Sequence, residues 1–181
     1  RCGMFNLGGE GQLYAGAIMG AWIGFAIPGL PAPLHILAVI LAGALGGMVV
    51  AFVPGILKAK RGVHEVIICI MMNYITINTT NYLVSTNGPL RLGSTMPATP
   101  FVLESARLPI VIKGTNFTGG FIIACVIAVI YYFFLWKTRV GYKKRAVGGN
   151  PDAAECGGIN SIKYSIIALM IAGAMAGIGG A

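Results

Sequence analysis

Six polar side chains sit in stretches that are otherwise strongly apolar. Asn6, Glu10 and Gln12 belong to the run Met4-Phe5-Asn6-Leu7-Gly8-Gly9-Glu10-Gly11-Gln12, and Asn73, Thr76 and Thr80 belong to the run from Glu65 to Tyr82. Amides and hydroxyls can donate and accept hydrogen bonds without carrying charge. That is the chemistry a neutral, many-hydroxyl solute needs when it exchanges water for protein. These six residues are therefore the expected solute path.

Each cluster has a plainer reading beside the functional one. A carboxylate at membrane depth is costly and marks a candidate site, and glycines beside it let backbone approach closely or break a helix. Glu10 can equally sit at an interfacial helix start, near the positive end of the dipole. At helical spacing Cys69, Asn73, Thr76 and Thr80 share one face, with Asn78 and Tyr82 towards the other. That face can line a path or can bind helices together through hydrogen bonds worth about 0.6 kcal/mol each.

A third segment is polar and basic, Thr138 to Ile159. It carries the punctuation of a short helix from Asn150 to Cys156. Asn150 can cap the first amides, Pro151 suits the first helical position, Asp152 favours the dipole, and Gly157 or Gly158 offers a left-handed stop. A short capped helix between two apolar segments is a feature for another protein to grip.

The elements that must position these residues are membrane spans. Hydrophobic residues make up 56% and charged residues 10% of the 181 residues, with a mean hydropathy of +0.81. A soluble domain carries about 25% charged residues. Spans need roughly 20 mostly apolar residues. Five segments qualify: Leu13 to Leu30, Leu34 to Ile56, Glu65 to Thr86, Gly119 to Trp136 and Ile162 to Ala181. The expected fold is an all-α, polytopic transmembrane bundle of about five spans with a short cytoplasmic helix, residues 1–181 forming one transmembrane domain. Gly16, Gly20 and Gly24, and Gly173 and Gly177, recur four residues apart, a packing stripe for close helix contact.

The net charge is +8, and its distribution excludes nucleic acid as the partner. Lys58, Lys60 and Arg61 fall in one loop, and Lys137, Arg139, Lys143, Lys144 and Arg145 in another, two spans away. Both loops are expected on the cytoplasmic face and Asn87 to Thr118 outside. The chain opens on Arg1 and closes on Ile178-Gly179-Gly180-Ala181 within an apolar run, as expected of an internal piece of a longer protein.

Cys2, Cys69, Cys125 and Cys156 have no paired spacing, and His35 and His64 have no partner ligands. No disulfide, metal, cofactor or catalytic constellation is expected. The glycine run lacks the Gly-Lys-Ser/Thr ending of a phosphate loop. The sequons at Asn78 and Asn116 are expected to be accidental.

These motifs together resemble a known family: the permease subunit of an ATP-binding cassette importer, in the branch that moves simple sugars, nucleosides and branched-chain amino acids. Phe5-Asn6-Leu7-Gly8-Gly9-Glu10-Gly11-Gln12 is similar to the family's Asn-Ile-Gly-Gly-Glu-Gly-Gln run. Gly62-Val63-His64-Glu65-Val66-Ile67 with Met72-Asn73-Tyr74-Ile75 resembles nucleoside-type members. Thr138 to Ile159 resembles the cytoplasmic coupling loop. Lys144 stands where a large apolar residue is usual, Gly149 where an acid is common, and His64 where asparagine is common.

The resemblance implies a transport subunit without catalytic residues, in a bacterial or archaeal plasma membrane. It implies four kinds of partner: a cytosolic ATP-binding subunit, a second permease subunit or copy, an external solute-binding lipoprotein, and a small-molecule solute such as a nucleoside or simple sugar. Membrane lipid surrounds it. Gly141, Arg145, Gly148, Asn150, Pro151, Ala153, Ala154 and Gly158 would carry the coupling to the ATPase. The competing classes are a secondary transporter, which needs a coupling acid or ion site within its spans, and a structural membrane subunit, which has no use for a capped cytoplasmic helix.

Overall fold

A computed structural model describes residues 5–85, 88–90, 98–108 and 118–181. Seven α-helices and no strand occur among them: α1 (Gly9–Ala26), α2 (Ala32–Arg61), α3 (Glu65–Val84), α4 (Gly120–Lys137), α5 (Arg139–Gly149), α6 (Pro151–Cys156) and α7 (Ser161–Gly180). A single 3-10 turn covers Glu104–Ala106. The described residues form two compact units, one of 107–165 and one of 4–106 with 166–181.

Hydropathy explains the long helices. In hydrocarbon no water satisfies a backbone amide, so an apolar segment closes its hydrogen bonds within a helix. α2, α3, α4 and α7 are long and apolar enough to cross a membrane. α1, over the remaining expected span, is a helix from Gly9 rather than Leu13 but is not among the helices apolar enough to cross. Its first turn holds Glu10 and Gln12, which dilute its apolar character.

α2 runs past the expected end at Ile56 to Arg61, 30 residues in all. At ~1.5 Å per residue that is about 45 Å, longer than the hydrocarbon core of about 30 Å. Its last turn carries Lys58, Lys60 and Arg61, which suit the negative end of the dipole. Gly62, at φ 65°, then takes the left-handed stop. Across this turn Lys58 Nζ lies 2.8 Å from Glu65 Oε2, so the buried carboxylate that opens α3 is paired.

Helices in the unit of α1, α2, α3 and the C-terminal part of α7 approach to backbone distance. A Cβ on Gly177 would overlap the carbonyl oxygen of Gly43, one on Gly47 that of Gly173, and one on Gly16 that of Gly177. The glycine spacing of α1 and α7 thus serves close approach, and α2 contributes Gly43 and Gly47 to the same seam. At the other end of α1, His35 is fully buried. Its Nε2 donates to the carbonyl of Ile23 at 3.3 Å, which leaves Nδ1 to accept from Ser105 Oγ at 2.8 Å. Leu103 N also donates to Gly24 O at 3.1 Å. These bonds tie the 3-10 segment to the α1–α2 hairpin.

Of the expected external segment 87–118, Arg91, Ser94, Lys113 and Asn116 lie outside the described residues, as does Cys2. In the other unit, α4 has no buried residue. Its Tyr132, Phe133 and Trp136 are exposed, which suits a span facing acyl chains and, towards Lys137, the membrane interface.

Replacing Gly177 with valine should destabilise the purified protein by about 1–3 kcal/mol, because the added carbons must displace backbone. Gly179, around which nothing lies within 4 Å, should accept alanine without loss. Thermal unfolding in detergent distinguishes the two variants.

Candidate functional site

The first cluster folds into a closed clasp of amides. Asn6 Nδ2 donates to Gln12 Oε1 at 2.8 Å, and Gln12 Nε2 donates back to Asn6 Oδ1 at 3.0 Å. The same Asn6 oxygen accepts from Gly8 N at 3.1 Å. Gln12 is fully buried, so this pairing removes the cost of hiding its amide.

Asn73 closes the clasp from α3. Its Oδ1 accepts from Gly11 N at 2.9 Å and its Nδ2 donates to Leu7 O at 2.9 Å. α1 has no cap from its own Gly8, so a residue 62 positions away satisfies one of its first-turn amides. Glycine at position 11 permits this, since a Cβ there would lie 2.8 Å from Asn73 Oδ1 and 2.9 Å from its Cα. Cys69, one turn before Asn73, is fully buried and lies 3.6 Å, through its Cβ, from where a Gly8 side chain would begin. Glu10 stands outside the clasp with its side chain exposed.

Thr76 and Thr80 lie elsewhere. Together with Thr79, which the sequence reading did not single out, they line a groove of about 300 Å³ between α1, α2 and α3. Met19, Val49 and Val50 contribute to its apolar walls. The structure thus brings Asn6, Gln12 and Asn73 together and sets Thr76 and Thr80 in a separate, mostly apolar groove. Thr79 lies one turn after Thr76 and so borders the same groove.

The polar, basic segment 138–159 holds two helices, not one. α5 was hidden by its basic residues and by Gly148-Gly149, which read as loop. Thr138 starts it: its Oγ1 accepts from Gly141 N at 3.1 Å. Gly141 is required here, because a Cβ would overlap the carbonyls of Phe134 and Leu135 at the end of α4. Each of three successive cations covers a ring: Lys143 Nζ lies 5.7 Å from the Tyr164 centroid, Lys144 Nζ 5.6 Å from Tyr131, and Arg145 Cζ 4.3 Å from Trp136. Such contacts hold cations on aromatic faces. Lys144 is 4% exposed and donates to Tyr131 Oη at 3.3 Å. Its stem fills the apolar position while its ammonium reaches a polar partner.

Asn150 ends α5 and begins α6. Its Oδ1 accepts from Asp152 N at 3.0 Å and Ala153 N at 3.1 Å, and Pro151 takes the first helical position. Gly157 N donates to Ala153 O at 3.1 Å, and Gly158, at φ 74°, reverses the chain. Between α5 and α6 lies a groove of about 430 Å³, lined in part by Tyr142, Ala146, Asn150 and Ala153. Of the paired alanines, Ala154 is buried and Ala153 is exposed. Gly148 is half-buried.

Two variants read these geometries. Asn73→Leu leaves Gly11 N and Leu7 O without their partner and should lower stability by about 1–3 kcal/mol. Asn150→Ala removes a cap and should cost about 1 kcal/mol. Thermal unfolding of the purified protein reports the first; faster hydrogen exchange confined to residues 151–156 reports the second.

The chain also matches known proteins. The family described as the permease component of the branched-chain amino acid transport system matches residues 1–181. The guanosine ABC transporter permease NupP of Bacillus subtilis is 42% identical over all of this chain and 52% of its own length. The nucleoside ABC transporter permease NupB of Lactococcus lactis is 33% identical over 99% of this chain and 51% of its own. The glucose ABC transporter permease TsgB13 of Haloferax volcanii is 29% identical over 99% of this chain and 50% of its own. The chain therefore spans about half the length of these relatives. No solved structure matches it. A family pattern that runs from the amide clasp through the apolar helices to α6 and α7 makes this chain a member of the branched-chain amino acid transport system permease family, a multi-pass membrane protein.

Proposed function

We propose that the whole protein is the membrane-spanning permease subunit of an ATP-binding cassette importer for a neutral polar solute, a nucleoside or simple sugar. ATP hydrolysis would belong to a cytosolic partner. A second permease subunit or copy and an external solute-binding lipoprotein would complete the assembly in a bacterial or archaeal plasma membrane. The relatives named as guanosine, nucleoside and glucose permeases support this solute range.

The observation that carries the reading is α6. A helix of six residues has little stability alone, yet this one is capped at both ends and presents Ala153 beside a groove. A small exposed residue on a rigid, short helix suits insertion into a cleft of another protein. Ala153, Asn150 and Pro151 would meet the ATPase. Ala154, Gly141, Arg145, Gly148 and Gly158 would hold the helix in position, Arg145 through Trp136 and Gly158 through its left-handed turn.

Ala153→Arg in the full-length, assembled transporter should reduce ATP-driven uptake about tenfold or more, the loss expected when a central contact is blocked. Membrane abundance should be unchanged because Ala153 is exposed. Normal uptake by that variant would overturn the docking role of α6.

The charge asymmetry sets the orientation. In a protein lacking its native cysteines, Glu104→Cys should react with an impermeant thiol reagent from outside intact cells. Asp152→Cys should react only after the membrane is opened. Labelling of both from one side would contradict the topology.

A further inference from the structure

The end of α4 brings two chemistries side by side. α4 buries no residue, and Tyr132, Phe133 and Trp136 near its end are exposed. Tyr132 and Trp136 are one turn apart, with ring centroids 6.4 Å from each other, and Phe133 packs edge-on against Tyr132 at 5.9 Å. The three rings make an apolar ledge. Lys137 stands one turn after Phe133, and Arg139 opens α5 two residues later. Both are exposed, and among the described residues neither pairs with an acid. Arg145 covers the Trp136 ring, its Cζ 4.3 Å from the centroid. Its Nε is buried without a hydrogen-bond partner.

The surrounding charge has one sign. Residues 137–163 hold six cations and two acids. One acid, Glu155, accepts from Ser161 Oγ, and the other, Asp152, sits in the first turn of α6. The segment thus keeps a net positive charge beside the ledge.

We infer that the corner between α4 and α5 binds an anionic phospholipid of the phosphatidylglycerol kind, its phosphate on Lys137 and Arg139 and an acyl chain along Tyr132, Phe133 and Trp136. The cations alone would suit any anion. A free phosphate or an acidic protein surface, however, has no use for a ledge of exposed rings that continues into a fully unburied apolar helix. A phosphate joined to acyl chains uses both. Tryptophan and tyrosine favour the depth at which headgroup meets chain, and lysine and arginine lay their stems on apolar surface while their charged ends reach the headgroup. Arginine can also hold phosphate oxygens through two parallel hydrogen bonds. A zwitterionic lipid brings its own cation to its phosphate, so it gains little from Lys137 and Arg139.

The inference does not rest on the importer reading, and its test measures no transport. The purified full-length permease is titrated in detergent with dioleoyl phosphatidylglycerol or dioleoyl phosphatidylcholine, with glycerol phosphate as competitor, and native mass spectrometry counts the bound lipid. Phosphatidylglycerol should bind more tightly than phosphatidylcholine and resist glycerol phosphate. Lys137→Gln/Arg139→Gln should weaken phosphatidylglycerol about twenty-fivefold, at about fivefold per cation, and leave phosphatidylcholine unchanged. The charge-keeping variant Lys137→Arg/Arg139→Lys should retain the lipid. Lys60→Gln/Arg61→Gln removes two exposed cations from the other basic turn and should leave the tightest-bound lipid in place. If the double glutamine variant loses membrane abundance, Arg139→Gln alone decides, with an expected loss of about fivefold. Phosphatidylglycerol affinity unchanged in Arg139→Gln, or lowered as much by Lys60→Gln/Arg61→Gln, would overturn the site. Displacement by glycerol phosphate would assign the cations to a free phosphate and overturn the lipid. Unchanged lipid affinity together with a lost ATPase on purification would assign them to a protein and overturn it equally.

Discussion

The absence of water around a membrane helix governs this structure. A polar group that enters hydrocarbon must find its partner inside the protein. The start of α1 faces this demand most sharply. Its amides are unsatisfied by the helix itself, and the buried Gln12 adds a full amide. Asn6 and Asn73 meet both needs, one from the preceding turn and one from α3. The glycines at 8 and 11 admit them at contact distance. The position of α3 against α1 follows from that pairing, and so does the groove that opens further along the two helices.

Close packing supplies the second half of the argument. Lipid tails are as apolar as leucine, so helices in a membrane gain little by hiding apolar carbon from it. They associate through close backbone approach. Gly16, Gly43, Gly47, Gly173 and Gly177 meet at distances where any side chain would collide with a carbonyl oxygen or neighbouring backbone. The polar, basic segment 138–159 solves a different problem. Lys143, Lys144 and Arg145 of α5 are held on the rings of Tyr164, Tyr131 and Trp136. That anchoring gives α6 a defined base from which to present Ala153.

Hydropathy made the long helices legible in the amino-acid sequence, because length and apolar content are summed over many residues. α6 was legible from Asn150, Pro151 and Gly158, whose roles are local. α5 was not, because Gly148-Gly149 and four cations resemble loop composition, and Gly141's tight contact with α4 is tertiary. The polar clusters were located but not sorted. Asn6, Gln12 and Asn73 have the same side-chain chemistry whether they contact a solute or each other, and only their partners separate the two cases. Thr76 and Thr80 were assigned to a shared face, yet the direction of their protons depends on backbone carbonyls one turn earlier. Lys144, which departs from the family's apolar pattern, made sense only once Tyr131 stood beside it.

The central claim is that Asn6, Gln12 and Asn73 form a structural clasp whose hydrogen bonds are satisfied within the protein. A cryo-electron microscopy structure of the full-length permease with its ATPase and adenosine tests this most directly. The account predicts that the Asn6–Gln12 and Asn73–Gly11 bonds stay intact with solute bound. Solute density at Asn73 and Gln12 with those bonds broken would contradict it.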